Sequence, residues 1–229
     1  RALAKIRANE VLDFFRDRLD EAEEGDRLAI IDALSLPPTF ENGGQALLEK
    51  FMDKASGLLR LAAALSTSRA SSSSAQSAQQ ADRVLRDFAQ NGTSYERRRA
   101  LAALLLDTKQ NQEILIKATE SSDNSVKVLA LSRLAQVSRD PQPQLDALLK
   151  MAKDNSEIGL SARMALGARG DQRVYPLLVQ QSQSTSPSHR RLAAIALLKL
   201  KTFAPLGPLI VDADPQVRRQ VACRIRQGS

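Results

Sequence analysis

The strongest constraint on this chain is a pattern that returns about every 30 residues. It is clearest at Asp214-Pro215-Gln216-Val217-Arg218. Asp214 suits a helix N-cap, because its carboxylate accepts hydrogen bonds from the free N–H groups of a first turn. Pro215 suits the first helical position, where no N–H is needed. Val217, Val221 and Ile225 then fall at four-residue spacing on one face. With Val217 as an anchor, the equivalent residues upstream are His189, Ile158, Val126 and Glu96, at steps of 28, 31, 32 and 30 residues. Three residues before the anchors stand Thr93, Asp123, Asn155, Ser186 and Asp214, all of N-cap type. Four after stand the small residues Ala100, Ala130, Ala162, Ala193 and Val221, and eight after stand Leu104, Leu134, Leu166, Leu197 and Ile225. Such a period describes helix pairs that each leave an apolar face open and close it by stacking.

The predicted fold is therefore all-α: a right-handed α-solenoid of antiparallel helix pairs with a divergent helical N-terminal part. First helices are expected near 82–91, 110–120, 142–153, 172–183 and 203–211. Second helices are expected near 94–107, 124–137, 156–168, 187–200 and 215–226. Breaks fall at Asn91-Gly92, Asp123-Asn124, Asp140-Pro141, Gly170-Asp171, Ser186-Pro187 and Asp214-Pro215. A small residue at the fourth position lets helices approach closely, and the leucine one turn on fills the space beside it.

Upstream the pattern fades. Residues 1–65 read as an irregular helical cap, with helices over 1–24, 27–34, 45–54 and 57–65 and a Gly-Gly loop over 39–44. Leu3, Ile6, Val11, Phe14, Phe15 and Leu19 make the first of these amphipathic. Residues 66–81, rich in Ser, Gln and Ala, read as a linker or long loop because they offer little to bury. The repeat array then occupies 82–229, about five helix pairs.

The repeats resemble a known family. Asp214-Pro215-Gln216-Val217-Arg218, the run Ala165-Leu166-Gly167-Ala168-Arg169-Gly170-Asp171 and Val174-Tyr175-Pro176-Leu177-Leu178 together look like short bacterial HEAT-like repeats of the PBS-lyase type. The resemblance covers roughly residues 93–229 and implies a fold far more than a function, because such repeats bind many unrelated partners.

Charge narrows the partners. Residues 1–92 hold 12 Lys/Arg against 14 Asp/Glu, whereas residues 93–229 hold 21 against 12. A basic body favours an acidic protein patch, nucleic acid or an anionic membrane. The position after the anchor carries Arg97, Lys127, Arg190 and Arg218, and the next carries Arg98, Arg191 and Arg219. In stacked repeats equivalent positions line up, so these seven residues form a candidate partner-binding strip. The competing reading is structural: a cation after the anchor ties down the adjoining turn. The second members exceed what that needs.

Enzyme chemistry finds little purchase. One His and one Cys make no zinc set, and no Gly-rich phosphate loop or calcium loop is present. His189 occupies an anchor position, which predicts a half-buried structural imidazole. Cys223 lies on the last helix and is expected to pack inside; a single cysteine excludes an internal disulfide framework. No cofactor is expected.

The expected function is a non-enzymatic scaffold or adaptor that binds a protein partner, acidic where it meets the basic edge. One alternative is a nucleic-acid-binding or DNA base-repair module, for which HEAT-like alkylation-repair glycosylases give a precedent. The low aromatic content, with no Trp, counts against it. A second alternative is a soluble regulatory part of a larger membrane or signalling protein. No apolar run is long enough to span a bilayer. The chain starts at Arg1 rather than Met, as a trimmed protein would. The expected compartment is the cytoplasm, with export to the periplasm left open.

Overall fold

The structure, a computed structural model, describes residues 8–228, with side chains described from Glu10 to Cys223 apart from Asp20 and Glu21. Leu3 and Ile6 of the expected first helix, and the side chain of Ile225, lie outside these. Among the described residues every regular element is helical and no strand occurs. The chain divides into two compact units, Arg1–Ile114 and Leu115–Ser229.

The first unit contains α1 (Ala8–Glu21), α2 (Glu24–Leu34), the single turn α3 (Pro37–Thr39), α4 (Gln45–Lys54), α5 (Gly57–Arg69), α6 (Ala75–Asn91) and α7 (Ser94–Ala103). Helices α2, α5 and α7 pack in series, and α4 and α6 pack beside α5 and against each other. Helix α8 (Lys109–Ala118) runs across the division.

In the second unit α9 (Asn124–Val137), α11 (Glu157–Ala168), α13 (Pro187–Lys199) and α15 (Pro215–Gly228) pack in series. Between them come α10 (Gln142–Ala152), α12 (Tyr175–Ser182) and α14 (Gly207–Ile210). Both α12 and α14 are entered through one turn of 3₁₀ helix. One apolar cluster runs through the unit, from Val128 and Leu148 through Leu166 and Leu178 to Leu197, Val217 and Val221. Each unit is thus a stack of helix pairs.

The repeat register is real in space. Ala100, Ala130, Ala162, Ala193 and Val221 are all 0% exposed, and Leu104, Leu134, Leu166 and Leu197 are all buried. Five equivalent positions with the same burial are what interlocked small and large side chains require. Three of the five expected N-caps, Thr93, Asp123 and Asp214, hold, whereas Ser186 precedes its helix without a side-chain capping bond. Thr93 forms a reciprocal capping box with Glu96. The carboxylates of Asp123 and Asp214 each accept from the backbone N–H groups two and three residues on. In the third copy the cap lies one residue later than expected: Ser156 Oγ accepts from Gly159 N, and Asn155 serves another purpose described below.

The first unit is more regular than its sequence suggests. Helix α5 opens after Ser56, which makes Leu59 an anchor, with Arg60 next, Ala63 four on and Thr67 eight on; Ala63 and Thr67 are buried. Helix α2 opens after Glu23, which makes Asp26 an anchor, with Arg27 next and the buried Ile30 and Leu34 at the two core positions. Two further copies of the register therefore precede the five, at steps of 33 and 37 residues.

Three local expectations are corrected. The stretch 66–81 is not a linker: Ser66 and Thr67 are buried in the last turns of α5, and Ser77 is buried in α6. Only 70–74 lie between the helices, and Ser74 caps α6 by accepting from Ser77 N. The Ser77 hydroxyl meets Gln45 and Glu49 of α4. The Gly-Gly segment is not an open loop but a wide helical turn, Phe40–Gly44, that breaks at Gly43, where φ is +119°. Cys223 is exposed; it sits between the inward positions of α15, about half a turn from Val221.

Candidate functional site

In five copies the arginine after the anchor is a clamp on the turn before its own helix. Arg27 Nε donates to Ala22 O at 2.8 Å, Arg60 Nε to Met52 O at 3.0 Å and Arg97 Nε to Ala89 O at 3.4 Å. Arg190 Nη1 donates to Ser184 O and Thr185 O, and Arg218 Nη1 to Asp212 O and Ala213 O. These carbonyls lie at or beyond the C-terminal end of the preceding helix, where the helix itself supplies no donors. A guanidinium satisfies them and complements the negative end of the helix dipole.

The third copy shows why the site is needed. Its residue after the anchor is Gly159, where a Cβ would lie 1.8 Å from Asp154 O. No side chain fits there, so the clamp comes from the next turn. Arg163, only 3% exposed, donates Nε to Ala152 O at 2.8 Å and Nη2 to Asp154 O at 3.2 Å and Asn155 Oδ1 at 2.9 Å. Burial pulls the Arg163 guanidinium below its ordinary pKa.

Aspartates complete the frame of the second unit. Arg190 makes a two-pronged pair with Asp212, both contacts at 2.7 Å, and this holds the Asp212 carboxyl below the usual carboxylate range and raises Arg190. Arg173 bonds Asp171 within its own turn and reaches Asp146 of α10 at 2.5 Å; both carboxyls are lowered by those bonds. His189 is half-buried, with Nδ1 3.4 Å from Ser184 Oγ and Nε2 3.5 Å from Glu157 Oε1. Its place is structural, as its anchor position implies.

The seven strip residues are thus not alike. Arg97, Arg190 and Arg218 donate to their own backbone. Lys127 is half-buried, and Arg191 bonds the side chain of Gln216. Arg98 and Arg219 are exposed.

Arg98 lies on a groove within the first unit. Two cavities of about 260 and 500 Å³ share Leu65, Arg69, Tyr95 and Arg99 and cross α2, α5 and α7 in turn. The floor is apolar: Leu28, Leu58, Leu61, Ala62 and Leu65. The rim is basic: Arg69, Arg98 and Arg99, with Asp32 the one carboxylate in the lining among the described residues. Arg99 Nη1 donates to Tyr95 Oη at 3.0 Å, and its guanidinium carbon lies 5.7 Å from the Tyr95 ring centre. This contact holds a half-exposed tyrosine upright at the edge. Arg69 is 3.8 Å from Asp32. The repeat register does not single out Arg69, because it falls beyond the buried face of α5; the signal that finds it is the adjacency of three second helices.

Residues 111–199 match the family model for HEAT repeats. HEAT repeats generally act as scaffolds in protein–protein interaction. No curated protein matches the chain. The HEAT-matched segment covers α9 to α13 whole, and the register that defines it continues on both sides. Among the described residues no helix is long and apolar enough to cross a membrane, and no group of His, Cys, Asp and Glu is arranged to hold a metal ion.

Proposed function

We propose that this protein is a non-enzymatic interaction scaffold whose first unit holds an acidic segment of a partner protein in the groove over α2, α5 and α7. The observation that carries this reading is the pairing of a continuous apolar floor with the rim of Arg69, Arg98 and Arg99. Apolar side chains of the partner would supply affinity on the floor. Its carboxylates would supply orientation and on-rate at the rim. Arginine suits the task, since its fork binds a carboxylate through two parallel hydrogen bonds. Tyr95 adds an amphipathic contact of the kind enriched at interfaces.

A photocrosslinker placed at Ala102, beside the rim, tests this in the intact protein. The expected result is crosslinking to a partner segment that contains Asp or Glu beside large apolar residues. Arg98→Glu combined with Arg99→Glu would weaken the complex by roughly 10-fold and leave the melting temperature unchanged, and rising salt would weaken the wild-type complex. Crosslinks to segments without acidic residues would overturn the reading. So would retention on duplex DNA that Arg191→Glu and Arg219→Glu abolish, which would make nucleic acid the ligand.

A further inference from the structure

The first unit has a second concave site, built on other elements. Arg16 and Leu19 of α1, Arg27 of α2, four residues of α4, Ala55, Ser56 and Leu59 of α5 enclose about 550 Å³. The apolar part is Leu19, Leu47, Phe51 and Leu59, and the polar part is Arg16, Arg27, Lys50 and Lys54. Among the described residues no carboxylate belongs to the lining.

Helix α4 shows how this one-sided charge arises. Its acids face α6: Glu49 bonds Ser77 and Gln45, and Asp53 Oδ1 accepts from Gln80 Nε2 at 2.6 Å. Its lysines, Lys50 and Lys54, fall one turn apart on the cavity side with Leu47 and Phe51. Neither ammonium meets a carboxylate among the described residues. Arg16 pairs with the exposed Asp13 at 3.1 Å, which lies outside the lining. The site also meets the start of α5, whose N-cap Ser56 makes no side-chain capping bond. The first-turn N–H groups there add to the positive potential.

Lys50 and Lys54, one turn apart on one apolar hollow, repel one another, and an anion in the hollow would relieve that repulsion. A volume of about 550 Å³ lies within the range of small-molecule sites. We infer that this cavity binds a soluble anionic amphiphile: a short aliphatic chain, seated on Leu19, Leu47, Phe51 and Leu59, with a carboxylate or phosphate head held by Lys50 and Lys54. This site is separate from the α2–α5–α7 groove and does not rest on the scaffold reading.

The test is calorimetric titration of the whole chain with sodium decanoate, decyl phosphate and decanol, each kept below its micelle concentration. The expected result is saturable one-site binding of both anions, with decanol at least roughly 10-fold weaker because the charge-assisted contacts are lost. Lys50→Glu with Lys54→Glu should cost roughly 10-fold or more, while Lys150→Glu with Lys153→Glu, of equal charge change in the second unit, should cost nothing. The stronger of the two anions identifies the head group. Equal binding of decanol, equal loss in both double variants, or an unaffected Lys50/Lys54 variant would overturn the proposal. Flotation with phosphatidylglycerol vesicles without binding of the soluble anions would overturn it too. A thermal melt of each variant confirms that it is folded.

Discussion

Replacing Arg163 with methionine isolates the clamp in the one copy where it has moved. Methionine keeps most of the aliphatic packing and removes the guanidinium. Three hydrogen bonds disappear, to Ala152 O, Asp154 O and Asn155 Oδ1. Their costs differ. Asp154 and Asn155 are exposed, so water can replace what they lose. Ala152 is 0% exposed, and its carbonyl would be left unpaired at the end of α10. An orphaned buried acceptor costs about 1–3 kcal/mol, and the lost charge-assisted bonds bring the sum to roughly 3 kcal/mol. Lysine at 163 can reach one of the three acceptors and should lose about half as much. Urea unfolding followed by circular dichroism reads both values, with the midpoint falling and the slope unchanged. A loss below about 1 kcal/mol in the methionine variant would refute the clamp as a source of stability.

Gly159→Ala should destabilise by several kcal/mol, roughly 2–4, in the same assay, against the gain of about 1 kcal/mol that alanine normally brings to a helix, because its Cβ would meet Asp154 O. Thr67→Val should stabilise by about 1 kcal/mol, since the buried Thr67 Oγ1 has no hydrogen-bond partner among the described residues; a destabilised variant in thermal melts would contradict this. Asp212, Asp171 and Asp146 have carboxyls lowered on folding, chiefly by Arg190 for the first and Arg173 for the other two. Their contribution is therefore fully present above the unfolded carboxylate pKa, about 3.9, and is lost as pH falls below it through the folded values. Melting temperature against pH should drop more steeply below about pH 4 in the wild type than in Asp212→Asn, and parallel curves would count against the pairing.

What the sequence shows and what it hides follow from one physical distinction. The fold is legible because the close contacts between second helices demand the same residue size at the same offset. Ala100, Ala130, Ala162 and Ala193 fill this offset in four copies and Val221 in the fifth, and the helices fall near where those offsets put them, although α7 stops at Ala103 rather than reaching 107. Upstream the same geometry is met by different residues. Thr67 stands where leucine is usual, Ile30 where alanine is, and an extra turn's worth of serine lengthens the step to 37 residues. Burial is conserved there while chemistry is not, so the residue pattern fades although the architecture persists. The serines mislead for a related reason. Composition reports what a stretch can bury by itself, whereas Ser66 and Ser77 are buried by packing on other helices, Ser77 against Glu49 and Gln45 of α4. The groove is still less legible, since Arg69, Tyr95 and Leu28 belong to three helices and no linear spacing joins them.

The cation strip shows that a periodic residue can answer a structural need. A residue that recurs in most copies answers a need that recurs with it, and the need here is the open carbonyl end of the preceding helix. Arg27, Arg60, Arg97, Arg190 and Arg218 meet it directly, and Arg163 meets it by a detour where Gly159 leaves no room. Recognition of one partner asks for the opposite, a group found in one copy and not its neighbours. Arg69, Arg99 and the Lys50–Lys54 pair are of that kind: each lies off the common register and faces a hollow. The number of cations in a repeat protein therefore overstates its binding surface, and the departures from the repeat are the better guide to where a ligand sits.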